Sequence, residues 1–179
     1  MAIVKKLEDD AAAKFWKAWK WIQDLEALQK PMMSIRPHTC FYIHPLNKGG
    51  QMMKNSALQV AEVDLYAPRK TGVYNVELKQ YEKGNLGQQW TYDSEQKSVR
   101  IRKFPNKALF EGANKNLIVY AYKGMKQQQF VFDHVSGKWT NANTQNALQA
   151  KGLATSATTA PFHDKLNQKW GIEYCEDAH

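Results

Sequence analysis

Three short segments of the chain share one pattern of polar and apolar residues. Each begins with a glutamine, places an aromatic residue two positions later, and continues with a variable residue, a large apolar residue and an acid; the segments are residues 88–93, 128–133 and 168–173. Alternation with a period of two predicts a β-strand with one buried face. The same offset of 40 residues separates successive copies. A repeat of this length indicates three related structural units.

A second feature recurs ahead of each of these segments. It is a small residue followed by leucine, and the copies are Ala57-Leu58, Ala108-Leu109 and Ala147-Leu148. Further strand candidates precede the pairs, at residues 39–44, 98–102 and 138–140,. We therefore predict that each unit contains, in this order, a strand, an Ala-Leu strand, a third strand and a Gln-x-aromatic strand. The first unit carries an insertion within residues 62–75, because its Ala-Leu pair lies 51 residues before the next pair, whereas the following spacing is 39.

Three units of four short strands predict an all-β fold that closes with pseudo-threefold symmetry, a β-trefoil. On these motifs the sequence resembles the ricin B-type, or QxW, β-trefoil family, whose signature is Gln-any-Trp once per subdomain. The resemblance covers residues 34–179 and leaves residues 1–33 as an N-terminal helical extension. In that family the Gln bonds to backbone and the Trp fills the shared core. The resemblance thus implies structural roles for Gln88, Trp90, Gln128, Phe130, Gln168 and Trp170.

The same resemblance raises the question of a sugar site. Family members that bind galactose-like sugars use an Asp after the Ala-Leu strand, an aromatic ring on the next strand, and an Asn-Gln pair at the QxW glutamine. Here the Asp position holds Gln59, Phe110 and Gln149 in the three units. The Asn-Gln pair remains only as Asn167-Gln168, which is the candidate carbohydrate-binding pair. Altered sites at Asp64 with Tyr66, or at Tyr120 with Tyr122, are alternatives to plain cross-strand packing.

Ahead of the repeats, the segment 11–29 predicts a helix of about 20 residues and about 30 Å. Asp9 and Asp10 are the expected N-terminal cap, and Lys30-Pro31 is the expected stop,. At 100° per residue the apolar side chains spread over roughly 240°, whereas docking on one surface needs little more than 100°. Because the apolar arc is wider than one docking surface needs, we predict a partner-binding surface on this helix. Its residues are Trp16, Trp19 and Trp21 with Lys14, Lys17 and Lys20. The alternatives are a helix folded back on the trefoil and a membrane-surface helix, which Asp24 and Glu26 disfavour.

The charge balance favours an acidic partner without naming one. The chain has 25 Lys and Arg against 17 Asp and Glu, a net charge of +8, which attracts acidic surfaces or simply keeps a protein soluble. Nucleic acid ranks third, because no known binding motif is present and Arg100 and Arg102 fit an ordinary solvated strand face. No apolar run is long enough to span a membrane.

Cysteine usage predicts a reducing compartment. Cys40 and Cys175 are too few for a disulfide scaffold, and the first residues do not form an export signal,. We therefore expect a cytoplasmic location and two reduced thiols, although a trefoil would place the two cysteines on neighbouring strands.

No motif for catalysis, a cofactor or a metal is found. The five histidines are scattered, without metal-ligand spacing, and are expected to be solvated or singly hydrogen-bonded,. The sequence thus predicts a non-enzymatic, intracellular protein-interaction or structural subunit that docks on an acidic partner or assembly. The alternative is a carbohydrate-binding lectin module of the ricin B type.

Overall fold

The computed structural model describes residues 2–29 and 35–178. The chain divides into two compact units, Met1–Ser34 and Ile35–His179. The first contains one helix, and the second, here called the β domain, contains all twelve strands of the described ranges. Each unit is described by itself below.

Helix α1 spans Ala2–Gln29, or 28 residues, which corresponds to about 42 Å. The prediction of a helix here is correct, but its predicted start was wrong. Asp9 and Asp10 lie inside the helix rather than at its cap, because the preceding residues contain no Gly or Pro that would end the helical hydrogen bonding. The predicted stop at Lys30-Pro31 lies outside the described residues.

The twelve strands of the β domain form three groups of four. The first unit has β1 (Phe41–Pro45), β2 (Ser56–Val60), β3 (Tyr74–Gln80) and β4 (Trp90–Asp93). The second has β5 (Ser98–Ile101), β6 (Phe104–Glu111), β7 (Leu117–Ala121) and β8 (Phe130–Asp133). The third has β9 (Lys138–Asn141), β10 (Ala147–Gln149), β11 (Thr158–Ala160) and β12 (Trp170–Tyr174). The predicted insertion falls between β2 and β3.

Strand pairing repeats with the units. The second and third strands of each unit form an antiparallel pair, β2 with β3, β6 with β7, and β10 with β11. The fourth strand pairs with the first strand of the next unit, β4 with β5 and β8 with β9. The last strand, β12, pairs with β1, with Phe41 opposite Tyr174 and Pro45 opposite Trp170. The chain therefore closes on itself by the same contact that joins its units.

The aromatic residues of the repeated motif fill the centre. Trp90 and Phe130 are 0% exposed and Trp170 is 1% exposed. Each indole also bonds to the Ala-Leu strand of its own unit: Trp90 Nε1 donates to the Leu58 carbonyl at 3.1 Å, and Trp170 Nε1 donates to the Leu148 carbonyl at 2.9 Å. The motif thus ties the fourth strand to the second through a buried hydrogen bond as well as through packing.

The motif glutamines are also buried, and they hold the loop that follows the third strand. Each side-chain oxygen accepts a backbone N–H from that loop, and each amide nitrogen donates to a nearby carbonyl. The partners are Glu82 N and Gln80 O for Gln88, Lys123 N and Ala121 O for Gln128, and His163 N and Pro161 O for Gln168, all at 2.7–2.9 Å. Through these hydrogen bonds, each of the three glutamines helps to hold the fold together.

Two expectations about side-chain chemistry were wrong. Cys40 and Cys175 form a disulfide rather than two thiols. They flank the paired strands β1 and β12, which bring their Cα atoms to 5.5 Å, a separation that suits a disulfide. His44 is fully buried, with Nδ1 2.7 Å from the Ser56 carbonyl and Nε2 3.3 Å from Glu173 Oε1. Two contacts hold this ring because it lies between Ser56 of β2 and Glu173 of β12.

Candidate functional site

A polar cleft of about 610 Å³ opens beside β2 and β3 of the first unit. Its floor is formed by the two strands, and its wall is formed by residues 61–65 of the inserted segment 61–73, here called the insertion loop. The polar side chains of the lining include those of Gln59, Asp64, Asn75, Glu77, Lys79 and Glu82. The cleft therefore combines amide, carboxylate and ammonium groups around one space.

Gln59 is the residue that links the cleft to the repeated motif. It lies on β2 directly after the Ala-Leu pair and is 9% exposed. Its Oε1 accepts a hydrogen bond of 2.8 Å from Gln88 Nε2. Its own Nε2 has no hydrogen-bond partner among the residues that the structure describes. Gln88 thus orients a nearly buried amide whose donor group remains available to a molecule in the cleft.

Asp64 holds the insertion loop in shape. Its carboxylate accepts hydrogen bonds from Tyr66 N at 2.9 Å, Thr71 Oγ1 at 2.7 Å and Gly72 N at 2.6 Å. The hydrogen bond from Thr71 is the main reason that the pKa of Asp64 lies below its ordinary value. Gly72 has a φ of 72°, which favours glycine at this turn,. Asp64 therefore shapes the wall of the cleft.

The cleft is acidic although the chain is basic. Glu62, Asp64, Glu77 and Glu82 line it together with a single basic residue, Lys79. The Lys79 ammonium lies 3.3 Å from Glu77 Oε2 and so offsets part of that charge.

Sequence reasoning identified this site only in part: it located the insertion and offered Asp64 with Tyr66 as an altered site, but Tyr66 does not line the cleft. The remaining acidic residues of the lining, Glu62, Glu77 and Glu82, were not identified, and Glu62 beside Asp64 was the available signal.

The predicted sugar pair in the third unit does not converge on one space. Gln168 is 1% exposed, and its Nε2 donates to Gln149 Oε1 at 3.3 Å as well as to the backbone. Asn167 instead lines a separate, mostly apolar groove of about 430 Å³ beside Leu153 and Leu166. Both atoms of the Gln168 amide are therefore used within the protein.

In the second unit, aromatic rings occupy the surface that corresponds to the cleft of the first unit. Phe110 stands at the position of Gln59 and packs edge to face against Tyr120, with ring centroids 6.0 Å apart. The Arg100 guanidinium lies 3.8 Å from the centroid of the Tyr122 ring. Arg100 is therefore stacked on an aromatic ring rather than simply solvated. Tyr120 and Tyr122, named above as a possible altered sugar site, pack against Phe110 and Arg100.

The residues predicted to bind a protein partner lie exposed on α1. Trp16 is 65% exposed, Trp19 45% and Trp21 64%. Lys14, Lys17 and Lys20 are exposed as well. Phe15 stacks on Trp19 with ring centroids 6.4 Å apart and an interplanar angle of 14°. The helix thus presents large apolar rings and cations side by side.

Within residues 2–29 and 35–178, no group of three His, Cys, Asp or Glu residues is arranged to hold a metal ion. In the same ranges, no helix has the length and apolar character needed to cross a membrane.

Solved structures share the arrangement of the β domain. The β-trefoil lectin of the Vibrio vulnificus hemolysin/cytolysin, with N-acetyl-D-lactosamine bound, is 17% identical with a TM-score of 0.58, covering 76% of this chain and 94% of that one. The chain is a β-trefoil. A second trefoil match is the C-half of the earthworm R-type lectin in complex with GalNAc, which is 15% identical, with a TM-score of 0.58 and coverage of 76% and 98%.

A third match is a non-toxic homologue of type II RIPs from Momordica charantia (bitter gourd) in complex with α-methyl-D-galactoside. It is 18% identical with a TM-score of 0.60, and the match covers 75% of this chain and 48% of that one. At these identities the likeness is one of fold, and it confirms the β-trefoil predicted from the QxW resemblance. No protein-family profile matches the sequence. No curated protein matches it either.

Proposed function

We propose that this β-trefoil is a non-enzymatic carbohydrate-binding protein, and that its sugar site is the cleft between β2, β3 and the insertion loop. The observation that carries the proposal is the Gln59 amide, which Gln88 orients and which keeps a free donor in the cleft. The ligands named for the three matched structures are galactose-type or N-acetylated sugars. They support the lectin interpretation over docking on an acidic protein, for which neither the cleft nor the matches gives support.

The chemistry of the lining suits a polyhydroxylated ligand. Sugar hydroxyls both donate and accept hydrogen bonds, so a site needs groups of both kinds. Gln59 supplies a donor, the Glu77 carboxylate supplies acceptors, and Asn75 supplies both. A volume of about 610 Å³ also falls within the range of roughly 300–1,000 Å³ that ligand pockets occupy.

The charge of the cleft restricts the ligand class. Its acidic residues outnumber its one lysine, so a carboxylate-bearing sugar would meet like charges at short range,. Neutral sugars carry no such cost. We therefore infer that the cleft takes neutral sugars in preference to sialylated ones.

The experiment is a glycan array followed by calorimetry with GalNAc, methyl α-D-galactoside, N-acetyllactosamine and sialyllactose. Gln59→Ala removes the oriented donor and is expected to weaken binding about tenfold, the equivalent of about 1.4 kcal/mol. Gln149→Ala, at the same position of the third unit, is the matched control and should bind as the parent does. The proposal fails if no glycan binds above background, or if only Gln149→Ala weakens binding.

A protein-interaction role is the second candidate. It rests on the exposure of Trp16, Trp19 and Trp21, because large apolar rings on a surface are typical of interaction sites. The cytoplasmic location stays a prediction. Native pull-down with mass spectrometry, comparing the parent with the triple Trp→Ala variant, tests this role; equal recovery of partners from both would remove it.

A further inference from the structure

The disulfide between Cys40 and Cys175 joins the two ends of the β domain. Both cysteines are half-buried, so a small molecule in solution can reach the bond between them. They flank β1 and β12, the strands that close the trefoil, and the Cys175 N–H donates to the Cys40 carbonyl at 2.9 Å. A reagent that opens the disulfide therefore acts where the first unit meets the third.

The two sulfur atoms of the disulfide have different surroundings. Cys40 Sγ accepts a hydrogen bond from Arg102 Nη1 at 3.5 Å. Cys175 is followed directly by two exposed acids, Glu176 and Asp177, and its Sγ receives no hydrogen bond from the residues that the structure describes. A negative charge is thus favoured on the sulfur of Cys40 over that of Cys175.

A second arginine near the disulfide is paired with one of these acids. The Arg36 guanidinium lies 4.2 Å from the centroid of the Tyr174 ring, and its Nη1 forms an ion pair with Glu176 Oε1. This pair offsets the charge of Glu176. Asp177 forms no ion pair within the described ranges, so an acidic charge remains beside Cys175.

Arg102 is held against Cys40 by Gln89, the residue that precedes the first motif tryptophan. Arg102 N donates to the Gln89 carbonyl at 2.9 Å, and Arg102 Nη1 donates to Gln89 Oε1 at 2.5 Å. Gln89 is itself 5% exposed, and its Nε2 donates to the Tyr42 hydroxyl at 2.9 Å. The guanidinium is therefore anchored by a buried side chain, and it can stabilise charge on Cys40 Sγ without first having to be ordered.

The contact between Arg102 and Cys40 becomes stronger when the disulfide opens. A disulfide sulfur is neutral and accepts hydrogen bonds weakly, whereas a thiolate carries a full negative charge, and charge-assisted hydrogen bonds are roughly twice as strong as neutral ones. A neighbouring arginine stabilises a cysteine thiolate. In thiol–disulfide exchange, the sulfur that forms the more stable thiolate is the better leaving group. Arg102 therefore makes Cys40 the leaving sulfur and Cys175 the sulfur that is attacked.

We propose that Cys175 is a site of reversible modification by small thiols, and that Arg102 directs the reaction to it. The thiolate R–S⁻ attacks Cys175 Sγ and forms a new S–S bond, while the bond to Cys40 breaks and its electron pair stays on Cys40 Sγ as a thiolate. A second R–S⁻ attacks the R sulfur of the mixed disulfide, which releases R–S–S–R and leaves both cysteines reduced. The two thiols supply the two electrons. In the reverse direction, the Cys40 thiolate attacks Cys175 Sγ and expels R–S⁻.

Modification of Cys175 removes the covalent link between the ends of the β domain. Strands β1 and β12 then remain joined by their backbone pairing, which runs from Phe41 and Tyr174 to Pro45 and Trp170. The proposed sugar cleft lies beside β2 and β3, so this inference does not depend on sugar binding.

The test treats the full-length, disulfide-bonded chain briefly with 2-mercaptoethanol, which carries no charge besides that of its reacting thiolate. Excess N-ethylmaleimide then traps the freed cysteine, and peptide mass spectrometry shows which cysteine carries each label. We expect mercaptoethanol on Cys175 about three times as often as on Cys40. Arg102→Gln removes the charge but keeps a hydrogen-bonding side chain, so this excess should be lost and the disulfide should open about threefold more slowly.

A matched control separates the position of Arg102 from net charge. Arg100→Gln removes the same charge from an arginine that stacks on Tyr122, and it should react as the parent does. Circular dichroism of each oxidised variant confirms that it is folded. An even distribution of the label in the parent, or an excess on Cys40, overturns the proposal. So does an excess on Cys175 that survives Arg102→Gln, or one that Arg100→Gln also removes.

Discussion

Gln88 and Gln128 hold equivalent positions in the first two units, yet they do not make the same set of hydrogen bonds. Both are 0% exposed, and both hold the loop after the third strand by one accepted and one donated backbone hydrogen bond. Only Gln88 makes a third bond, to Gln59 in the cleft. Replacing each glutamine by alanine therefore separates the structural role from the proposed binding role.

The expected losses of stability are similar for the two alanine variants. Each substitution leaves one backbone N–H and one carbonyl without their side-chain partner, at about 1–3 kcal/mol for each group. We therefore expect a fall of about 2–6 kcal/mol in the free energy of unfolding for both. The extra partner of Gln88 adds little, because the Gln59 oxygen can turn to water in the open cleft.

The expected effects on sugar binding differ. Gln88→Ala releases the Gln59 amide, so the affinity for a neutral sugar should fall about tenfold, whereas Gln128→Ala should bind as the parent does. Urea unfolding followed by circular dichroism gives the stability, and calorimetry below the unfolding temperature gives the affinity. Equal affinity in the two variants, or a stable Gln128→Ala protein, would refute the reasoning.

Three further predictions follow from the packing and the charges. Trp90→Phe removes the donor to the Leu58 carbonyl and leaves a small cavity. It should lower the free energy of unfolding, measured in urea, by about 2–4 kcal/mol. A decrease of less than about 1 kcal/mol would show that neither the hydrogen bond nor the cavity affects stability. Reducing the disulfide between Cys40 and Cys175, which are 135 residues apart, should destabilise the β domain by about 5 kcal/mol, seen as a lower melting temperature in reductant; an unchanged melting temperature would count against this. The lowered pKa of Asp64 means that its contribution is present above its ordinary value of 3.8 and is lost as the pH falls through the folded-state value. Proteolysis within the insertion loop should therefore accelerate only in acid, and a rate that does not change between neutral and acidic pH would contradict the role given to Asp64.

The parts of the fold that repeat could be predicted from the sequence. The Gln-x-aromatic segments encode strands by local alternation and recur every 40 residues, which indicates three units, and the Ala-Leu pairs mark a further strand in each unit. The first, second and fourth strands of each unit and the position of the insertion follow from sequence signals, whereas the third strands were predicted only in number. The resemblance to QxW proteins then supplied the β-trefoil that the structural matches confirm.

What could not be predicted depends on contacts between distant or non-repeating residues. The wall of the cleft depends on the hydrogen bonds that the Asp64 carboxylate accepts from residues 66, 71 and 72. No periodic pattern in the sequence encodes the loop conformation that these hydrogen bonds hold. The disulfide depends on the register of β1 with β12, which brings the ends of the domain together. The early start of α1 was missed because two aspartates resemble a cap, although nothing before them breaks a helix.

An NMR titration of the isotopically labelled chain with GalNAc tests the central claim most directly. The account predicts chemical-shift changes at Gln59, Asn75, Glu77 and the insertion loop, which saturate with added sugar. Changes confined to Asn167 and Gln168, or an unchanged spectrum with each of the neutral sugars, would contradict it.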